Sequence, residues 1–303
     1  MPVGKFDYDL ETRAEASVKS FSLSDDNFFP LFSSYIYGLC NDLPSITTTT
    51  NSVLDSFASD GVIYLELRTT PRAIPSANIT TTDYIRTILS CITTSNTHTP
   101  MKTSLILSID RRSTLATAHE VVTLALAHRT AGVIGIDLCG DPSVGDISIF
   151  GPAFARAADA NLPITLHFAE APWSSRPEEL WKLLEYNPRR IGHVIHVPGD
   201  VKREIERRGI GLELCLSCNV HAKMITGSYG DHHFGEWWGR GCPVALSTDD
   251  VGVFGSPLSN EYRLVAEHFG LSDQEIFRLA RSAVDCIFGG EEEKERLRGL
   301  MWG

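Results

Sequence analysis

The sequence predicts an α/β fold, a (β/α)8 TIM barrel of parallel strands, and three observations lead to it. Short runs of β-type residues alternate with helical patterns along the chain, as they do in consecutive βαβ units. Several runs are apolar on both faces, which is typical of strands buried in a parallel sheet. Polar and reactive side chains stand at the ends of many runs, where a barrel of this kind places its active site.

The predicted elements follow in order along the chain. Seven runs have the composition of strands, and they are Val62–Arg68, Ser104–Asp110, Val133–Leu138, Pro163–Phe168, Arg190–Ile195, Gly211–Leu216 and Pro243–Thr248. Helical patterns lie between most of them, for example at Thr114–Arg129, Pro152–Ala160, Pro177–Tyr186 and Val201–Arg208. A doubly wound open sheet is the competing architecture, but no glycine-rich phosphate loop follows the first strand, so we favour the barrel.

The two ends of the chain predict helices. In Met1–Asp60 the candidate helices are Phe28–Leu39 and Ser52–Ser59, and the threonine tract Thr47–Thr50 is interpreted as a loop and helix start. The tail, Ser272–Trp302, has the composition of further helices.

A closed barrel of this type has eight strands, one more than the sequence shows. The first strand therefore either lies in a weak segment such as Gly4–Leu10 or is absent from this chain. We expect one domain over residues 1–303 that is missing its first strand, with an atypical or truncated part at residues 1–60.

The charge balance excludes two classes of partner. The chain has 27 Lys and Arg against 38 Asp and Glu, a formal net charge of −11, so neither nucleic acid nor an anionic membrane is expected. No apolar run approaches the ~20 residues that a membrane span needs. Seven cysteines, an odd number, favour reduced thiols over a disulfide framework. We therefore expect a cytoplasmic monomer that binds a small molecule.

The fourth predicted strand carries the first candidate site residues. The run P-I-T-L-H-F-A-E places His167 at the strand end and Glu170 three residues later. Histidine at such an end can offer a ring nitrogen to a metal ion. A glutamate nearby can donate a proton if burial raises its pKa. The alternative interpretation is a core histidine followed by a glutamate at a helix start.

Two later strand ends extend this pattern. His193 ends the run I-G-H, and Asp249 and Asp250 are adjacent in S-T-D-D. Because adjacent side chains of a strand point to opposite sides, one carboxylate can bind a metal ion while the other accepts a hydrogen bond from a substrate. The alternative for the pair is a helix N-cap. Together these strand ends predict a metal-assisted hydrolase with its site at the barrel mouth.

The motifs HFAE, RIGH, LELCLSCN and STDD, in this order, resemble the adenosine deaminase family. The segments YLELRTTPR, SIDRR, GIDLCGDPSVGD and DHHFG resemble its adenosine-deaminase-like branch, the N6-methyl-AMP deaminases. The resemblance runs from about Phe28 to Phe288. It implies a barrel of the metal-dependent hydrolase type with one Zn²⁺ and the hydrolytic removal of an amine from a purine.

The resemblance also assigns roles to individual residues. It implies that His167 and Asp249 bind zinc, that Glu170 donates a proton to purine N1, and that His193 orients or deprotonates the attacking water. Asp250 then holds the imidazole edge of the purine. Positions implied on the substrate side are Gly140, whose N–H meets purine N3, and Thr69, Thr70, Pro71, Arg72 and Asp110 near the nucleotide, where an arginine suits a monophosphate.

One feature departs from the family. The family's first strand bears H-x-H, which supplies two zinc ligands, whereas here no H-x-H occurs and the first histidine is His98. A catalytic zinc ion takes three or more protein ligands, so two predict weak zinc binding. We expect a shortened product of a deaminase gene. The predicted activity is zinc-dependent deamination of 6-substituted purine nucleotides (N6-methyl-AMP to IMP and methylamine). The alternatives are an adenosine deaminase or a catalytically impaired form.

Other residues receive structural interpretations. Cys215 and Cys218 form C-x-x-C and are interpreted as small buried thiols. His232 and His233 are expected in a loop near the barrel mouth, and Trp237 is expected to serve packing.

Overall fold

The computed structural model describes residues 29–302, in which parallel strands alternate with helices. The strands are β1 (Tyr64–Thr69), β2 (Lys102–Asp110), β3 (Val133–Cys139), β4 (Thr165–Phe168), β5 (Arg190–His193), β6 (Gly211–Leu214) and β7 (Val244–Leu246). Each overlaps one of the predicted runs. The α/β order expected from the sequence is therefore confirmed.

The helices lie mostly between successive strands. They are α1 (Tyr37–Leu39, after the π-helical turn Phe32–Ile36), α2 (Leu43–Ser59), α3 (Thr81–His98), α4 (Leu115–Ala127), α5 (Gly151–Asp159), α6 (Pro177–Glu185), α7 (Gly199–Arg208), α8 (Leu216–His221), α9 (Phe234–Trp237), α10 (Val251–Phe254), α11 (Leu258–Phe269), α12 (Asp273–Cys286) and α13 (Gly290–Trp302). The last two occupy the tail that was predicted to be helical.

The strands form a single parallel arc in chain order. Hydrogen-bonded ladders link β1, β2 and β3 in that order, and further ladders link β4, β5, β6 and β7. A parallel bridge between Ile136 and Ile164 connects the two groups. The N–H of Ile136 donates to the carbonyl of Pro163 at 3.0 Å across this junction. Because every strand runs the same way, all seven carboxyl ends meet at one rim, the geometry of a (β/α)8 barrel.

The two ends of the arc remain unpaired within residues 29–302. No strand of that part of the chain pairs with the outer edge of β1 or of β7. Every residue of β1 is half-buried, whereas β5 and β6 are buried throughout. The alternative location for a first strand, Gly4–Leu10, lies outside the described residues.

The interior of the arc is close-packed. Leu105, Ile106 and Leu107 are adjacent on β2, and all three are 0% exposed. Since adjacent residues of a strand point to opposite faces, this burial covers both the barrel side and the helix side. The prediction of strands buried on two faces is thus confirmed. Among the described residues, no helix is both long and apolar enough to cross a membrane.

The interpretation of Thr47–Thr50 as a loop and helix start was wrong, because the tract lies inside α2. The helix begins earlier, where Asp42 and Ser45 form a capping box. Within the helix, the Thr50 hydroxyl donates to the Ile46 carbonyl at 2.7 Å, and both residues are buried. Packing against the core therefore outweighs the modest helix propensity of threonine.

A network of charged side chains crosses the barrel interior. Arg190 donates to Glu66 Oε2 at 2.6 Å and also pairs with Glu213. Arg68 pairs with Glu213 and lies 3.8 Å from Asp137. Burial raises the pKa of Glu213, but the Arg68 and Arg190 guanidinium groups outweigh it and lower the pKa to about 2. Each of these buried carboxylates therefore stays charged because an arginine is paired with it.

Candidate active site

A cavity of about 1340 Å³ opens at the carboxyl ends of the strands. Most of the site residues expected from the sequence line it, and they are Thr69, Thr70, Arg72, Asp110, Gly140, His167, Glu170, His193, Asp249 and Asp250. Pro71 does not line this cavity. Residues far apart in the chain are therefore gathered at one place, since they stand at the carboxyl ends of several strands of the arc.

His167, at the end of β4, has a defined hydrogen-bonding arrangement. Its Nδ1 lies 2.9 Å from the Leu138 carbonyl oxygen and 3.2 Å from Asp137 Oδ1. A carbonyl oxygen only accepts, so Nδ1 carries a proton, and Nε2 is the nitrogen that would bind a metal ion after giving up its own proton. Burial lowers the pKa of His167, but the Asp137 carboxylate raises it more, to about 10.

Glu170 and His193 face each other from adjacent strands. Glu170 is 4% exposed, and its Oε1 lies 3.5 Å from His193 Nε2. His193 is 2% exposed, and its ring centroid lies 5.3 Å from that of His167. A carboxyl group and two imidazoles thus lie close together at the rim.

The backbone that carries His193 is strained and held in place. His193 and Val194 have φ of +64° and +50°, in the left-handed region, where each non-glycine residue costs about 1–3 kcal/mol. The carbonyl of His193 accepts from His233 Nε2 at 2.5 Å, and that of Val194 accepts from Trp237 Nε1 at 3.1 Å. Trp237 packs as expected and is 0% exposed. These two donors stabilise the turn that aims His193 into the cavity.

The two aspartates after β7 have different environments. Asp249 has φ +54°, and its Oδ2 lies 3.9 Å from His193 Nε2. Asp250 occupies the N-cap position of α10, as the alternative expected, but its side chain makes no capping hydrogen bond. Burial and the neighbouring Asp249 carboxylate raise the pKa of Asp250 well above its usual value. Asp250 therefore keeps its proton to higher pH than an ordinary aspartate.

Cys218 was missed as a site residue by the sequence interpretation. Its thiol is buried as expected, but it donates to Asp249 Oδ2 at 2.9 Å. His193, Cys218 and Asp249 offer donor atoms that all lie within 4.8 Å of one another. The Asp249 carboxylate, the Cys218 sulfur once it loses its proton and the His167 imidazole are ligands of the kinds that Zn²⁺ takes in proteins, so the rim fits a zinc ion. The available signal was the second cysteine of C-x-x-C directly after β6.

Arg72 reaches the cavity beyond the end of β1. Its guanidinium donates to the backbone carbonyls of Tyr37 and Cys40 and stacks on the Tyr37 ring, 4.7 Å from the centroid. The neighbouring Thr69 hydroxyl lies 2.8 Å from the Tyr84 hydroxyl. Carbonyl oxygens orient the guanidinium without neutralising it, so Arg72 presents a positive charge to the cavity.

Asp110 and Gly140 approach each other closely at the ends of β2 and β3. Arg112 donates to Asp110 through Nε at 2.9 Å and pairs with it through the terminal nitrogen, so this carboxylate is already paired. Gly140 has φ +98°, and a Cβ there would lie 2.8 Å from Asp110 Oδ1. Glycine is therefore required at 140 by both backbone conformation and space.

Comparisons with known proteins agree with this geometry. A family model for adenosine deaminase matches residues 10–301. The N6-mAMP deaminase of Arabidopsis thaliana is 38% identical over 295 residues, covering 90% of this chain and 82% of that protein. The N6-Methyl-AMP deaminase of Homo sapiens is 34% identical, covering 87% of this chain and 76% of that protein. A crystal structure of an Arabidopsis relative complexed with IMP has a TM-score of 0.89 and 37% identity, covering 96% of this chain and 86% of that chain.

Proposed function

Because the chain belongs to the adenosine deaminase family, a family of deaminating hydrolases, we propose that it is a zinc-dependent deaminase of 6-substituted purine monophosphates. The proposed reaction is N6-methyl-AMP plus water to IMP plus methylamine. Support comes from the names of its relatives and from the similar structure that holds IMP. The observation that carries the proposal is the convergence of His167, Glu170, His193 and Asp249 on one cavity.

The metal-binding part of the site would consist of His167 and Asp249. Cys218 Sγ, 2.9 Å from Asp249 Oδ2, is a further donor beside them. When bound, zinc would lower the pKa of a water molecule toward about 7 and so supply a nucleophile at neutral pH. Asp137, behind His167, keeps the ring in the tautomer that ligation requires.

The chain's own residues would then complete the reaction. Glu170 donates a proton to ring N1 as the oxygen of water attacks C6, which relieves the charge that develops on the purine. His193 faces the attacking oxygen. Asp250 would hold the imidazole edge, and the backbone N–H of Gly140 would meet N3. Glu170 and His193 are buried, and burial strengthens the polar contacts that they make.

Arg72 would bind the phosphate, and this gives the first prediction. Replacing it by methionine (Arg72→Met) removes a charge-assisted contact worth about 1.5–3 kcal/mol, so kcat/KM for N6-methyl-AMP should fall about 10- to 150-fold. The rate on N6-methyladenosine, which has no phosphate, should change much less. Steady-state assays on both substrates measure this difference.

The control is Arg112→Met. The Arg112 guanidinium is already paired with Asp110, so its loss should affect phosphate binding less. Equal losses on nucleotide and nucleoside would favour an adenosine deaminase instead. No turnover of either substrate, together with measurable nucleotide binding, would favour the impaired form, to which the missing H-x-H motif points.

Asp249→Ala should remove the metal ion. The wild-type protein, at equilibrium with free Zn²⁺ in the dialysis buffer, is expected to bind about one zinc per chain, and the variant much less, because a carboxylate ligand is lost. Atomic absorption measures the ratio. The adjacent variant Asp250→Ala is the control and should retain zinc, since Asp250 is assigned to the purine. Equal zinc in wild type and Asp249→Ala would remove this ligand assignment.

A further inference from the structure

A chain of hydrogen bonds ends on the ring of His193 and begins at a backbone amide. The N–H of Phe234 donates to His232 Nδ1 at 3.0 Å. His232 Nε2 lies 3.0 Å from Asn219 Oδ1, and Asn219 Nδ2 lies 3.0 Å from His193 Nδ1. His232, His193 and Asn219 are each at most 3% exposed. The motifs LELCLSCN and DHHFG thus meet behind the catalytic histidine.

The direction of this chain is set at its backbone end. A peptide N–H can only donate, so His232 Nδ1 must be an acceptor. Burial lowers the pKa of His232 to about 2, which keeps its ring neutral. A neutral imidazole that accepts at Nδ1 carries its proton on Nε2.

The orientation of the Asn219 amide follows from the same constraint. His232 Nε2–H needs an acceptor, and the amide oxygen of Asn219 is the atom that faces it. Turning the amide over would set its NH₂ group against this N–H. The NH₂ group therefore donates to His193 Nδ1, and it also contacts Met224 Sδ at 3.6 Å.

We infer that Asn219 and His232 are positioning residues that make Nδ1 of His193 an acceptor and place its proton on Nε2, so that His193 donates a hydrogen bond to the attacking oxygen and does not deprotonate it. Nε2 is the atom that faces Glu170 at 3.5 Å and Asp249 at 3.9 Å. The inference rests on the proposed deamination for its role and on the hydrogen-bond geometry for its tautomer. It also leaves His193 without the free Nε2 lone pair that a metal ligand needs.

The protons of the reaction balance without His193. Glu170 gives its proton to N1, and the attacking water gives one proton to the Asp249 carboxylate. The oxygen then bonded to C6 returns its remaining proton to Glu170 as the C6=O bond forms and the C6–N6 bond breaks. The departing nitrogen takes the proton from Asp249 and leaves as methylamine.

The test reads the tautomer of His193 directly by nuclear magnetic resonance. In protein labelled with ¹⁵N-histidine at neutral pH and free of metal, His193 should show a protonated Nε2 and an unprotonated Nδ1. Its signals are assigned by their loss in His193→Gln. A proton found on Nδ1 in the wild-type protein would overturn the inference, and this measurement needs neither turnover nor a further variant.

Asn219→Asp extends the test. The carboxylate still accepts from His232 Nε2, but it also accepts at His193, so the His193 proton should move to Nδ1. With the donor at Nε2 lost, kcat should fall about 10²-fold while KM changes little. His233→Gln, which can still donate to the His193 carbonyl, should keep the wild-type tautomer.

The outcomes separate the inference from the proposed function. An unchanged tautomer in Asn219→Asp, or a wild-type kcat with the altered tautomer, contradicts the positioning role. A protein with the expected tautomer but no deaminase activity contradicts the proposed function and leaves the hydrogen-bond chain intact.

Discussion

Glu170→Gln is expected to lower kcat for N6-methyl-AMP by about 10²–10⁴-fold, the usual contribution of a general acid. Glutamine fills almost the same volume in this buried position, where Glu170 is 4% exposed, but it has no acidic proton to give to N1. Zinc content should be retained, because Glu170 is not assigned as a ligand. Initial rates on the nucleotide and the zinc-to-chain ratio measure the two quantities separately.

The matched control is Glu178→Gln, at an exposed position in the first turn of α6. Its rate should equal that of the wild-type protein. If Glu170→Gln kept the wild-type rate, the proton donor would have to be sought elsewhere at the rim, and Asp250, with its raised pKa, would be the next candidate.

Arg190→Met is expected to destabilise the protein by about 3–5 kcal/mol, the cost of breaking a buried ion pair from one side. Arg190 is 5% exposed and pairs with Glu66 and Glu213, and its guanidinium also donates to the Cys286 carbonyl at 2.8 Å. Its loss leaves two carboxylates and a carbonyl without this partner inside the barrel. Urea unfolding followed by circular dichroism measures the change.

The surface variant Arg207→Met is the control for a lost ion pair. Arg207 pairs with Glu204 on α7, but its side chain is 70% exposed, so water replaces the partner and the unfolding midpoint should hardly move. If the unfolding midpoint of Arg190→Met were as close to the wild-type value as that of Arg207→Met, the ion pairs of Arg190 would not stabilise the barrel.

The sequence interpretation succeeded where local pattern and position in the chain carry the information. The alternation of strands and helices predicted the order of elements, and the strand-end positions of His167, His193 and Asp249 predicted that they share one rim. The end of the barrel at which these residues lie follows from chain direction, because every parallel strand ends at the same rim. The interpretation of Thr47–Thr50 as a loop and helix start failed, since the low helix propensity of four threonines does not outweigh a capping box and core packing.

The partners of the site residues could not be predicted in the same way. The hydrogen bond from Cys218 to Asp249 joins residues 31 positions apart. Asn219 bonds to His193, 26 positions before it, and to His232, 13 positions after it. Their approach depends on how the loops after β6 and β7 fold back over the rim. No local period in the sequence encodes such a distance.

The sequence by itself determined the fold class, the chain order of the strands and the strand ends at which reactive side chains stand, because backbone periodicity and chain direction are local properties. Only the tertiary structure decided which of these side chains carries a proton and on which atom. A tautomer such as that inferred for His193 depends on a backbone amide at Phe234, 41 positions away by number, and the protein brings the two together only when it is folded.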